Sequence, residues 1–97
     1  MNLFELLEAF RQVLDRVKSE SVHEVQLEPV TVEEKIEQIL SLLQKEKRSI
    51  AFHHLFPENV TRPVVVVTFL AILELVKTRL VRVFQMAAFD TIRISLT

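Results

Sequence analysis

Residues 64–76 form an almost unbroken apolar run in which Glu74 is the only charged side chain, and this run constrains the fold more than any other feature. It is too long for an ordinary strand of roughly five or six residues. It is too short to span a bilayer, which takes roughly 18 apolar residues or more. Val64-Val65-Val66-Val67 alone favours a strand. Pro63, however, suits the first turn of a helix, and Thr61 or Arg62 stands where a cap belongs. The run is therefore expected to be a helix from about 64 to 77.

That helix is apolar around most of its circumference. Counting back from Leu80, the positions Leu75, Ile72, Ala71 and Thr68 share one face and are expected to point inward. Val66, Phe69, Leu73 and Val76 form a second stripe more than a quarter turn away, with Val65 between the two. An ordinary surface helix has one apolar stripe and a polar side. Two readings of the second stripe stand. It is buried inside the same domain, under the first helix or the terminal hairpin. Or it anchors a partner, with Phe69 and Leu73 one turn apart at its centre. On the second reading the partner-binding residues are Val66, Phe69, Leu73 and Val76, with Phe84 added from the hairpin. Phe89 is a weaker candidate, because it also suits a plug between hairpin and core. A helix that reads DNA bases would present Arg, Asn, Gln or Lys instead.

The remaining elements follow from local patterns. Leu3, Leu7, Phe10, Leu14 and Val17 recur at helical spacing, so residues 1–18 read as an amphipathic leading helix. It either packs on its own domain or docks on a partner. Residues 19–30 read as a linker, with a short alternating stretch at 22–27 that suits a strand. Thr31-Val32-Glu33-Glu34 is a capping box. Val32, Ile36, Ile39, Leu40 and Leu43 continue it as one stripe, so a helix is expected over 32–45. The charged turn Lys45-Glu46-Lys47-Arg48 reads as solvated, with cations favourable near a helix C-terminus. A very short strand at 49–51, a helical turn at 52–56 stopped by Pro57, the apolar helix, and strands at 80–84 and 92–96 complete the chain. The fold class is α+β. Helix, short strand, helix, helix and a two-stranded wing, over residues 31–97, is the order of a winged helix.

Composition narrows the function. The 97 residues carry a formal net charge of −1 and no cysteine or glycine. Disulfides and thiolate metal sites are excluded, as are glycine-rich phosphate loops. A general nucleic-acid binder usually has a basic excess. This chain lacks one overall, which leaves room only for a local basic patch. His53 and His54 are adjacent and, with His23, are the only histidines; they read as surface residues flanking Phe52 and Leu55. No serine sits in a nucleophile-elbow sequence. The expectation is a non-enzyme with no cofactor, metal or small-molecule substrate, and no membrane segment.

Several stretches resemble the C-terminal part of the kleisin family, specifically bacterial segregation and condensation protein A. They are Thr68-Phe69-Leu70-Ala71-Ile72-Leu73-Glu74-Leu75-Val76 followed by Leu80-Val81-Arg82-Val83, and Gln85, Phe89 and Ile92 in the hairpin. Upstream, Leu6-Leu7-Glu8-Ala9-Phe10, Val32-Glu33-Glu34-Lys35-Ile36 and Phe52-His53-His54-Leu55-Phe56 are also similar to the family. Asp90 and Arg79 depart from it, standing where glycine is frequent. The resemblance implies a winged helix that docks on the ATPase head of a structural-maintenance-of-chromosomes protein. It also implies segregation and condensation protein B as a partner through the wider kleisin chain, DNA met only indirectly through the complex, and a cytoplasmic place at the nucleoid. Read from residues alone, a DNA-binding winged-helix regulator and a homodimerisation module stand as the alternatives.

Overall fold

The computed structural model describes residues 2–17, 30–57, 60–88 and 90–97. The strand expected at 22–27, His23 and the side chain of Phe89 lie outside them. Three helices and a small sheet make up the fold: α1 (Leu3–Arg16), α2 (Val32–Glu46), β1 (Ile50–Ala51), a 3-10 turn (Phe52–Leu55), α3 (Arg62–Lys77), β2 (Val81–Gln85) and β3 (Ile92–Leu96). The sheet is antiparallel in the order β1-β3-β2, with Ile50 opposite Ile94 and Val83 opposite Ile94 on the other side. This is the α+β, winged-helix arrangement that the sequence pattern implies.

The helix starts are set by side chains. The Thr31 hydroxyl accepts from the Glu34 amide at 3.1 Å, and the Glu34 carboxylate accepts from the Thr31 amide at 3.0 Å. Asn2 and Glu5 make the same reciprocal pair at the start of α1, a cap the sequence reading passed over. Thr61 occupies the cap position of α3, but its side chain makes no capping bond. Pro63, the second helical residue, has no N–H, so one of the two amides that a capping oxygen normally bonds is missing.

Chain reversals without glycine force two residues into the left-handed region. Lys47, the C-cap of α2, has φ 61°, and Arg79 has φ 64°. At the end of α3 the Leu80 amide donates to Leu75 O and the Arg79 amide to Val76 O, both at 3.0 Å. This is a Schellman closure with arginine in the place glycine prefers. Asp90, the other departure from the family pattern, has no positive φ.

One core holds the elements together. Ile39 and Leu43 of α2, Val65, Ala71, Ile72 and Leu75 of α3, and Ile94 of β3 are all buried. The four positions expected to face inward, Thr68, Ala71, Ile72 and Leu75, do so. Thr68 satisfies its buried hydroxyl by donating to Val64 O at 2.7 Å. Lys35 lies over the joint between α2 and the 3-10 turn, near Leu42, Leu55 and Thr68. Burial lowers its pKa from the usual 10.5.

Candidate functional site

The leading helix settles which part of α3 is left open. α1 packs on the body of the domain: Leu6, Val13 and Val17 are buried, and the Phe10 ring stacks on that of Phe69 with centroids 4.0 Å apart. Arg62, at the start of α3, donates to Leu14 O at 3.2 Å and to Val17 O at 3.5 Å, filling carbonyls that the end of α1 leaves unpaired. Arg16 donates in turn to Phe56 O at 3.1 Å. The pairs Phe10 with Phe69 and Leu14 with Arg62 run in opposite senses along the two helices, so α1 lies antiparallel to α3.

Phe69 is therefore not part of an open surface. Expected at the centre of the second stripe, it is 5% exposed beneath α1. The stripe divides into a covered edge and an open one. Val66 (41% exposed) and Leu70 (46%) are open, Leu73 is half-buried, and Val76 sits at the margin with 37%. Val66, Leu70, Leu73 and Lys77 fall at spacings of four, three and four residues, one straight row along the helix. Leu70 was missed because its neighbours on both sides are apolar, and periodicity alone did not say where α1 would cross.

α1 extends this apolar surface. Leu3, Leu7 and Leu14 lie on the flank of α1 opposite the one that carries Glu5, Glu8, Gln12 and Arg16. The polar flank faces the wing across a cleft of about 800 Å³ floored by Ala9, Val13, Phe52 and Ile92. The apolar flank therefore turns toward the open side of α3. On the outermost face of α1, Arg11 bridges Glu8 and Asp15 at 2.7 Å each. Such exposed pairs contribute little to stability.

Phe84 lies elsewhere. Strand alternation puts Val81, Val83, Ile92 and Ile94 against the core, and Arg82, Phe84, Arg93 and Ser95 on the outer face of the sheet. The Arg82 guanidinium stands 4.9 Å from the centre of the Phe84 ring. The α3 row and Phe84 are thus on different faces of the molecule. At the wing tip the Gln85 side chain donates to Asp90 O at 2.8 Å and the Asp90 side chain accepts from the Thr91 amide at 2.7 Å, which closes the loop.

His53 and His54 are exposed with their rings edge to face, 4.6 Å apart. Among the described residues no three His, Asp or Glu side chains come together as metal ligands. Among the same residues no helix is long and apolar enough to cross a membrane.

Comparison with known sequences adds the family. All 97 residues match the family model described as segregation and condensation protein ScpA. The chain belongs to that family. Proteins called segregation and condensation protein A from Myxococcus xanthus, Coxiella burnetii and Bacillus licheniformis are similar to it. The first is 43% identical over 86 residues, covering 87% of this chain and 29% of the relative. The second is 39% identical over 90 residues, covering 93% and 34%. The third is 34% identical over 97 residues, covering 98% and 38%. The chain thus spans about a third of the length of these ScpA relatives.

Proposed function

We propose that this ScpA-family chain is a kleisin C-terminal winged helix that docks on the ATPase head of a structural-maintenance-of-chromosomes protein. On this reading it works in chromosome segregation and condensation at the nucleoid. It is a non-catalytic module, and segregation and condensation protein B binds other parts of the same kleisin.

The observation that carries the reading is the row of open Val66 and Leu70 and half-buried Leu73 on the helix that a DNA-reading winged helix would use for polar contacts. Val76 at its margin and Leu3, Leu7 and Leu14 on the adjoining flank of α1 enlarge it. Contiguous apolar surface of this kind marks a protein contact. Family membership supports such a head as the partner, because head docking is what the kleisin resemblance implies. Phe84, on the outer face of the wing, lies apart from this surface and is left out of the contact. Phe69 supports the surface from beneath by fixing α1.

Titration calorimetry of the isolated head against the wild-type chain and against Leu70→Arg and Leu73→Arg tests this. Circular dichroism melts check that each variant is folded. A folded Leu70→Arg chain is expected to lose at least about tenfold in affinity, the loss of one apolar anchor. Head binding that is unchanged in folded Leu70→Arg and Leu73→Arg would remove the surface from consideration. If sedimentation shows the wild type to be a dimer and Leu70→Arg a monomer, the row instead joins two copies of this chain.

A further inference from the structure

The net charge of −1 conceals a segregation. Residues 1–44 carry a formal −5 and residues 45–97 a formal +4. The fold concentrates the positive half further. Lys47 and Arg48 end the turn after α2, next to Ser49, whose side chain and carbonyl both accept from the Arg93 guanidinium of β3. Arg79 is brought to the other end of the same strand, where the Thr97 hydroxyl donates to its carbonyl at 2.8 Å and the Thr97 amide to Leu80 O at 3.1 Å. Arg82 lies across from Ser95. Four cations thus lie around β3 beside its own Arg93. Lys47, Arg48, Arg79 and Arg82 are exposed, and none of the five makes an ion pair among the described residues.

We infer that this basic face binds the phosphate backbone of duplex DNA without reading sequence. The face is wrong for a protein partner. The outward side chains of its strands are Arg82, Phe84, Arg93 and Ser95, and one aromatic ring under a guanidinium does not make the desolvated apolar centre that protein interfaces are built on. Leu80 and Leu96 are half exposed at its edge, at the end of the strand pair and not at its centre. Dense positive charge on a polar face is the balance found at nucleic-acid interfaces.

The reach fits as well. The four residue steps from Arg93 to Thr97 span about 13 Å of strand. The same length of duplex carries roughly eight phosphates. Apart from Lys77 at its end, the open row of α3 is apolar, so the contact is with backbone only. The contact is independent of head docking, because it uses the opposite face of the domain.

Fluorescence anisotropy of a labelled duplex of about 30 base pairs, titrated with this chain from about 25 to 150 mM salt, tests the inference. The logarithm of the binding constant is expected to fall with the logarithm of salt with a slope of about −3 to −4, close to −0.9 per phosphate contact. The double substitution Arg48→Glu with Arg82→Glu is expected to weaken binding at least tenfold and to flatten the slope by about 2, while leaving the thermal melt unchanged. Arg11→Glu, on the far side of α1, is expected to leave binding as it is. The inference is overturned by any of three results: no binding at the lowest salt, equal loss in the Arg11 variant, or tighter binding of a single strand than of the duplex. The last would point to stacking on Phe84 instead.

Discussion

The ring of Phe10 lies almost flat on that of Phe69, with planes 15° apart and centroids 4.0 Å apart, and this pair joins the leading helix to the winged helix. Truncating the two sides has unequal effects. Phe69 is buried on all sides, so Phe69→Ala is expected to cost about 3–5 kcal/mol. Phe10 is half-buried, so Phe10→Ala is expected to cost less, about 2 kcal/mol. A double-mutant cycle in urea is expected to return a coupling of about 0.5–1.5 kcal/mol. A coupling near zero would mean that α1 does not rest on α3 in solution.

Two threonines at equivalent cap positions are expected to behave differently. Thr31→Ala removes a working capping box and is expected to cost about 1 kcal/mol. The Thr61 hydroxyl is buried and makes no hydrogen bond within the described protein. Thr61→Val keeps the shape and removes an unpaired oxygen, so it is expected to be neutral or stabilising by up to about 1 kcal/mol. Thermal melts of both variants check this. A Thr61→Val loss as large as that of Thr31→Ala would contradict the cap assignment.

Arg79 and Lys47 hold left-handed backbone with a Cβ present. Arg79→Gly and Lys47→Gly are each expected to raise stability by about 0.5–1 kcal/mol. Asp90→Gly, where φ is not positive, is expected to lower it by a few tenths to about 1 kcal/mol. Denaturant midpoints of the three variants decide the point.

Lys35 gives a pH dependence of definite sign. Burial depresses its folded pKa, so near the titration range the unfolded chain binds more protons than the folded one. Stability from this group rises with pH between the depressed folded value and the ordinary 10.5, and is flat below that window. Lys35→Met is expected to be more stable than wild type at neutral pH, with the advantage shrinking as pH passes through the window. Urea titrations at neutral pH and near pH 10 make the comparison. An advantage that grows with pH would show that the ammonium is not held against apolar surroundings.

Elements were legible wherever a cap or a break accompanied the pattern. The Thr31 capping box placed α2 to within a residue, and Pro63 made a helix of a β-branched run. The wing strands appeared within one residue of their expected bounds. The site was harder. Periodicity identified both apolar stripes of α3 but not which edge α1 would cover, because that depends on the crossing of two helices far apart in sequence. The expected stripe centred on Phe69, whereas the open row is rotated by about one residue, toward Leu70. The basic face was less visible still. Lys47, Arg48, Arg79, Arg82 and Arg93 come together only through the register of β3 against its two neighbours.

The absence of glycine reaches beyond the two strained turns. Every residue of this chain carries a Cβ, so its unfolded ensemble has fewer conformations to give up than that of a glycine-containing chain of equal length. Strain at Lys47 and Arg79 is local and fixed, while the restriction of the unfolded chain acts at every other turn as well. The chain is thus stabilised partly by what its denatured state cannot do, a contribution that no contact in the folded molecule records.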